Sequence, residues 1–258
     1  MKQLKAPVTS AIEVADGIYL LQVEAPEIAA EAKPGQFVMV PCDKDMILPR
    51  PFSIHTAGEG KISILFAVVG KGTEWLSHKK KGDRLDIFGP LGNGFTVNEK
   101  SRNLLLVAGG MGIAPMRFLA EKALEAKKLV TILNGARTVS CLIAVTTPQN
   151  LFEKGIHPAS LHCVNTTEDG TEGFKGLATQ LIPHYLKNAD QVFACGPEGM
   201  YKTMAQMRVL QNIPVQISME IMMGCGTGVC YGCTIKTQKG LKQVCKDGPV
   251  FEMADIIF

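Results

Sequence analysis

The sequence predicts an antiparallel β-barrel, then a parallel-sheet α/β domain, then a small cysteine-rich C-terminal unit. Three observations carry that prediction. Short apolar or alternating runs, punctuated by Gly, Pro and Asp, fill residues 1–98. Strand-like and helix-like runs alternate from about Asn103. Half of the eight cysteines (Cys225, Cys230, Cys233 and Cys245) fall within 21 residues near the end. Closely spaced strands with turn residues between them suit a barrel, and strand–helix alternation suits a parallel sheet covered by helices. The division expected is 1–98, 99–215 and 216–258.

In the first region strands are read at Ile18–Val23, Gln36–Val40, Ile62–Val69 and Arg84–Phe88, with another opening at Arg50. A short helix is expected over Glu74–His78 with Thr73 as its N-cap, because a Thr oxygen can accept an unsatisfied N–H of the first turn. The run Gly89-Pro90-Leu91-Gly92-Asn93-Gly94 reads as a loop leading out of the barrel. In the second region Leu104–Ala108, Leu129–Leu133, Leu161–Val164 and Gln191–Ala194 read as strands. Helices are expected over Ala114–Lys127 and near Gly176–Lys187 and Glu198–Gln211. Residues 138–158 give no usable pattern. In a sheet of this kind ligands bind at the C-terminal ends of the strands.

Composition narrows the class. The chain has 258 residues, 46% hydrophobic and 20% charged, so it can bury a real core and is not disordered. A net charge of +3 gives no mandate for nucleic acid. No run of about 18 apolar residues predicts a membrane span. The start, Met1-Lys2-Gln3-Leu4-Lys5, lacks the apolar core of a signal peptide. A cytoplasmic protein is expected, and in that compartment the cysteines should not form a disulfide framework.

The C-terminal cysteines are spaced Cys225-x4-Cys230-x2-Cys233-x11-Cys245. That is the ligand spacing of a plant-type [2Fe–2S] cluster. Gly224, Gly226, Gly228 and Gly232 interleave with them and let backbone N–H groups point at the sulfurs. Zinc also accepts four cysteines, but zinc ribbons usually pair two C-x2-C knuckles, and here the first gap is four.

Two further regions suggest nucleotide binding. Arg50-Pro51-Phe52-Ser53 opens a strand, and Gly70-Lys71-Gly72-Thr73 precedes a helix, where free N–H groups favour phosphate. Ala108-Gly109-Gly110-Met111-Gly112-Ile113-Ala114-Pro115 joins a strand to a helix, the context of a dinucleotide site, although its glycine spacing is not GxGxxG. Cys195-Gly196-Pro197-Glu198-Gly199-Met200 follows another strand end. Each motif also has a plain reading as a tight turn, and Cys195 as an ordinary buried thiol. The five histidines show no ligand spacing and read as surface or loop residues.

In that order these motifs resemble the ferredoxin–NADP reductase superfamily, which pairs a flavin-binding barrel with a nucleotide-binding domain. The run Ser218–Cys233, with Cys245-Lys246-Asp247-Gly248-Pro249-Val250-Phe251 and Gly89–Phe95, is similar to the electron-transfer subunits of NAD-dependent, class 1B dihydroorotate dehydrogenase. The resemblance spans essentially the whole chain and implies an oxidoreductase of pyrimidine biosynthesis carrying FAD, a [2Fe–2S] cluster and NAD. It implies that Arg50, Pro51, Phe52 and Ser53 meet the flavin, with Arg50 on the pyrophosphate and Ser53 near N5. Leu65, Phe66 and Ala67 would line the flavin, and Gly72 and Thr73 would hold its phosphates. Where the superfamily often has Tyr, Phe52 keeps only ring packing on the flavin. Gly110, Gly112, Pro115, Cys195, Gly196 and Pro197 would serve NAD, with Cys195 near the nicotinamide, and Cys225, Cys230, Cys233 and Cys245 would ligate iron. No acid–base triad is expected.

Nicotinamide exchanges two electrons as hydride and the cluster exchanges one, so a flavin that does both belongs between them. A flavin-containing dihydroorotate dehydrogenase catalytic subunit is the partner implied, in a heterotetramer of two of each subunit. Met219, Met222 and Met223 suit an interface to it, or simply pack the cluster unit onto the barrel. A sister reductase subunit for a hydrogenase or transhydrogenase is the alternative within enzymes, and a zinc-stapled binding module the alternative outside them. Arg137 could meet a 2′-phosphate and Glu168 or Asp169 a ribose, or all three could be solvent-facing.

Overall fold

The computed structural model describes residues 1–43, 46–143 and 157–258; most of the unpatterned stretch 138–158 lies outside them. Six strands close an antiparallel barrel: β1 (Lys2–Ala15), β2 (Ile18–Glu24), β3 (Phe37–Val40), β4 (Arg50–Gly58), β5 (Lys61–Ala67) and β6 (Arg84–Leu91), in the order β1-β2-β5-β4-β3-β6. Alternate residues fill its interior: Val38 and Val40 from β3, Phe52 and Ile54 from β4, Ile62, Ile64 and Phe66 from β5, Leu85 and Ile87 from β6. Two short helices, α1 (Pro26–Glu31) and α2 (Lys71–Ser77), contribute Ile28 and Leu76 to the same core.

The barrel expectation holds, with local corrections. The longest strand, β1, has no counterpart in the sequence reading, because its half-buried pattern is punctuated by lysines and glutamate. Gly89-Pro90-Leu91 belongs to β6 rather than to an exit loop. The short helix starts at Lys71, with Gly70 as N-cap, so Thr73 sits inside its first turn. The Thr73 hydroxyl accepts the Val69 N–H at 2.9 Å and donates to the Gly70 carbonyl at 3.0 Å.

The second sheet has seven strands: β7 (Asn103–Gly109), β8 (Leu129–Ala136), β9 (Leu161–Thr167), β10 (Phe174–Lys175), β11 (Gln191–Cys195), β12 (Val215–Ser218) and, from the far end of the chain, β15 (Val250–Glu252). Their order is β10-β9-β8-β7-β11-β12-β15, parallel except for β15. The chain builds outward from β7 on one side, then returns to β11 on the other. The crevice at the C-terminal ends of β7 and β11 is therefore the topological switch point, where open α/β sheets bind ligands. Helices α3 (Ile113–Glu125), α4 (Ala178–Tyr185) and α5 (Glu198–Ala205) cover the sheet. The last two are shorter than expected, each followed by a 3-10 turn.

The helix α3 joins the two bodies. It buries Met116, Leu119 and Ala120 against the sheet, while Phe118 enters the barrel core. The cysteine-rich segment holds a hairpin, β13 (Thr234–Thr237) with β14 (Gly240–Gln243), and a single turn, α6 (Val244–Asp247). It packs on Phe37, Met39 and Leu91 at the β3–β6 side of the barrel. It does not stand apart from the sheet, since β12 leads into it and β15 leads out of it, paired as Gln216 with Glu252 and Ser218 with Val250.

Candidate functional site

A cavity of about 770 Å³ lies between the barrel and the switch point of the sheet. Ala67 and Val69 form its barrel wall, and Gly110, Thr166, Pro197 and Glu220 stand on the α/β side. The two strand ends behind it are in direct contact. A Cβ on Gly112 would lie 1.9 Å from the Cys195 carbonyl oxygen, so no other residue fits there without parting β7 from β11. Gly196 and Pro197 belong to the same knot: Pro197 stands 2.9 Å from where a Cβ on Gly109 would lie, the Gly196 N–H donates to the Tyr201 hydroxyl at 2.9 Å, and that hydroxyl donates to the Ser218 carbonyl, while Pro115 is buried in the first turn of α3. Of the residues assigned to NAD, Gly110 and Pro197 face the cavity, and Gly112 and Cys195 support its floor.

Cys195 is 2% exposed and donates its thiol to Glu220 Oε1 at 3.6 Å. Burial, then the Glu220 charge, pushes the thiol well above its ordinary range, so it stays neutral. Burial of the Glu220 carboxyl raises its pKa, against the smaller opposite effect of the thiol hydrogen bond. Sequence reading missed both Glu220 and Tyr201, because nothing in their local pattern marks them. The Thr166 hydroxyl, also in the cavity wall, is fully buried and has no hydrogen-bond partner among the described residues.

On the barrel, the Arg50 side chain turns toward α2. Its Nε lies 3.4 Å from where a Cβ on Gly72 would stand, and its Nη1 donates to the Leu48 carbonyl at 2.7 Å. The structure thus brings Arg50 and Gly72 together across 22 positions of sequence. The Thr73 hydroxyl is committed to the helix start. Ser53 is half-buried and pairs with Phe37 of β3. Leu65 faces the α/β domain while Phe66 faces the barrel core. Phe52 does not pack outward as expected: it is 7% exposed and meets Phe66 edge-on at 5.6 Å inside the barrel. The period-two alternation of a strand whose neighbour Ile54 is also internal dictates this.

The four C-terminal cysteines lie as two thiol pairs, Cys225 beside Cys230 and Cys233 beside Cys245. Among the described residues no three His, Cys, Asp or Glu converge as a single ion would need. Four thiolates in two pairs would hold a two-iron core. Backbone donors already point at the sulfurs: Thr227 N–H to Cys225 at 3.4 Å, Gly228 N–H to Cys245 at 3.1 Å, and Cys245 N–H to Cys233 at 3.4 Å. Burial opposes ionisation of Cys225, yet the N–H groups of Thr227 and Cys230 bring its thiol down to about 6. Gly226, at φ 73°, lets the loop press onto Met39, where a Cβ would stand 2.7 Å from Cγ. The donor set fits an iron–sulfur core, whose thiolates need such N–H groups. Cys233 and Cys245 are buried, whereas Cys230 is exposed.

One histidine departs from the surface reading. His55 of β4 faces α3, with Nδ1 2.9 Å from the Ala114 carbonyl oxygen. Cys42 and Cys163 are thiols pushed up to about 11 by burial.

Comparison with known proteins agrees with this geometry. Residues 220–257 match the family described as the iron–sulfur cluster binding domain of dihydroorotate dehydrogenase B, and residues 106–206 match the oxidoreductase NAD-binding domain. The chain is 42% identical to the dihydroorotate dehydrogenase B (NAD⁺) electron transfer subunit of Clostridium acetobutylicum, over 95% of this chain and 94% of that protein. It is 39% identical to the same subunit of Caldanaerobacter subterraneus subsp. tengcongensis, over 99% of both chains. Among solved structures it is similar to a chain of NADH-dependent reduced ferredoxin–NADP oxidoreductase, from work on flavin-based electron bifurcation. There the TM-score is 0.85 at 30% identity, with 98% of this chain and 90% of that one covered. The fold is also that of a Neisseria gonorrhoeae ferredoxin–NADP⁺ reductase, at TM-score 0.60 and 16% identity over 80% of this chain and 90% of that one.

Proposed function

The chain belongs to the family of dihydroorotate dehydrogenase B (NAD⁺) electron-transfer subunits, and on that premise we propose how its residues divide the work. It is an FAD- and [2Fe–2S]-dependent, NAD-linked oxidoreductase subunit that moves electrons between a catalytic dihydroorotate dehydrogenase subunit and NAD. The flavin exchanges hydride with nicotinamide and single electrons with the cluster, which is the chemistry the bound group supplies. The observation that carries the reading is the cavity at the β7–β11 crevice, walled by Ala67 of the barrel and Gly110 and Pro197 of the sheet.

Arg50 binds the flavin pyrophosphate through its fork of donors, beside the N–H groups of Gly72 and Thr73. Ser53, at the edge of β4, hydrogen-bonds the isoalloxazine, and Pro51, Leu65, Phe66 and Ala67 shape its bed. Phe52 acts from inside the barrel by holding Phe66. Gly110, Gly112, Pro115, Cys195, Gly196 and Pro197 form the floor on which nicotinamide lies. Glu220, at the cavity edge, holds the Cys195 thiol and presents a carboxyl to the ligand. Cys225, Cys230, Cys233 and Cys245 hold the cluster, with Cys230 toward the surface.

Around that exposed edge, Met222 is 90%, Val229 73% and Tyr231 70% exposed. A compact apolar patch beside a redox centre is where the catalytic subunit docks. Two copies of each subunit form the working assembly, in the cytoplasm; no helix among the described residues is long and apolar enough to cross a membrane. The similarity to the NADH-dependent ferredoxin–NADP oxidoreductase chain favours a second reading, a reductase subunit serving a different partner. Anaerobic co-expression with the catalytic subunit decides between them. A complex that reduces NAD⁺ with dihydroorotate supports the first reading, and separate elution with no such activity supports the second.

A further inference from the structure

We propose that His55 is a positioning residue that sets the distance between flavin and nicotinamide by locking the flavin strand to the nucleotide loop. The proposal rests on the reading of the cavity as the nicotinamide site. Strand β4 pairs with β5 as Ile54 with Ile64 and then Thr56 with Ser63, so His55 is the extra residue of a β-bulge. A bulge re-aims the side chain it carries and recurs beside active sites. The alternation that puts Phe52 and Ile54 inside the barrel turns the imidazole outward onto α3, where Nδ1 lies 2.9 Å from the Ala114 carbonyl. A carbonyl only accepts, so the ring donates from Nδ1. Burial pulls its pKa down to about 4 and keeps the ring neutral near pH 7.

Both ends of this bond matter to the site. His55 stands two residues beyond Ser53, and Ala114 lies between Gly112 and Pro115. The other side of that loop has no slack, because Gly112 already touches the Cys195 carbonyl. Phe118, one helical turn beyond Ala114, adds apolar contact between α3 and the barrel core. Apolar contact is non-directional and tolerates sliding, whereas a hydrogen bond from a bulge fixes one register. Hydride transfer needs its reacting atoms about 3–3.5 Å apart, and a misplacement of about 1 Å costs about 10²-fold.

The test is anaerobic stopped-flow reduction of the bound flavin by NADH in the full chain with FAD and cluster loaded. His55→Leu, with His55→Ala in parallel in case a branched side chain upsets the bulge, should lower the limiting rate by about tenfold or more. Flavin content and the half-saturating NADH concentration should stay within about twofold, because the binding groups remain in place. His55→Asn, whose amide N–H sits near the Nδ1 position, should recover most of the rate. A wild-type rate in both apolar variants, or no recovery with Asn, overturns the proposal. If NADH fails to bleach the wild-type flavin, the site reading is what fails. Amide exchange over residues 110–116 then still reads the joint: faster exchange in the apolar variants, reversed by Asn, supports it, and unchanged exchange overturns it.

Discussion

The Cys195 thiol and the Glu220 carboxyl meet at 3.6 Å across the crevice between β11 and the segment that follows β12. Neither residue is near the other in sequence, and the contact exists because β11 and β12 run side by side, with Cys195 level with Ser218. Burial at that place holds the carboxyl where protonation is easier than in water, against the smaller opposite pull of the thiol hydrogen bond. Glu220→Gln should therefore stabilise the protein near neutral pH. The folded pKa is raised, so the native state binds more protons than the unfolded one, and stability falls as pH climbs through the window above the ordinary value of 4.5. The advantage of the variant should vanish below that value, as thermal melts across pH 4–8 will read.

Gly112→Ala should be among the most damaging single-methyl changes in the chain. Its Cβ would stand 1.9 Å from a backbone oxygen, which no rotamer change relieves. Overpacking of this kind costs about 1–3 kcal/mol or more, and urea unfolding should show a loss at the upper end. Weaker NADH binding should accompany it.

Arg50→Ala should release FAD while leaving the fold intact. Losing a charge-assisted contact costs about 1.5–3 kcal/mol, equivalent to about 10- to 10²-fold in Kd. Arg50→Lys should fall between, because the ammonium keeps the charge and loses the fork. Flavin fluorescence on titration of the apoprotein measures both.

Cys230→Ser should abolish iron binding and electron delivery to the partner while FAD stays bound, since the Arg50–Gly72 site lies on the barrel. Hydrogen exchange should rise across residues 222–247, yet stay slow at Val250–Glu252, where β15 is held by β12. Rapid exchange there would mean that the cluster alone holds the tail.

Met222→Glu should weaken binding of the catalytic subunit by about tenfold or more, the effect expected when a charge enters an apolar contact of about 1.4 kcal/mol. At 90% exposure Met222 supports nothing within the chain, so melting temperature and cofactor content should not change. Gel filtration of the mixed subunits reads the outcome.

The features legible in the sequence were those that physics confines to a short span. Four thiols wrapping one core must come from a tight loop and a nearby turn, so the Cys225–Cys245 spacing speaks for itself. The strand–turn–helix through Ala108–Pro115 is likewise local, and the structure keeps it as β7, a 3-10 turn and α3. What stayed hidden depends on partners distant in sequence. Val250–Glu252 is too short to read as a strand until β12 is beside it. His55 owes its role to the Ala114 carbonyl, 59 residues away, and Glu220 to the neighbouring end of β11. Phe52 misled for the opposite reason: the resemblance suggested its function, while the inward alternation of β4 decided its direction.

The pairing of β12 with β15 also bears on how the holoprotein is assembled. The residues just before and just after the cysteine loop are fastened to each other by the sheet, through Ser218 with Val250. The sheet thus closes the loop without a metal, and the entropy of closing it does not fall on the cluster. Maturation then resembles loading a clasp whose hinge is already riveted. Cys230, the exposed thiol of the four, marks the open side of that clasp.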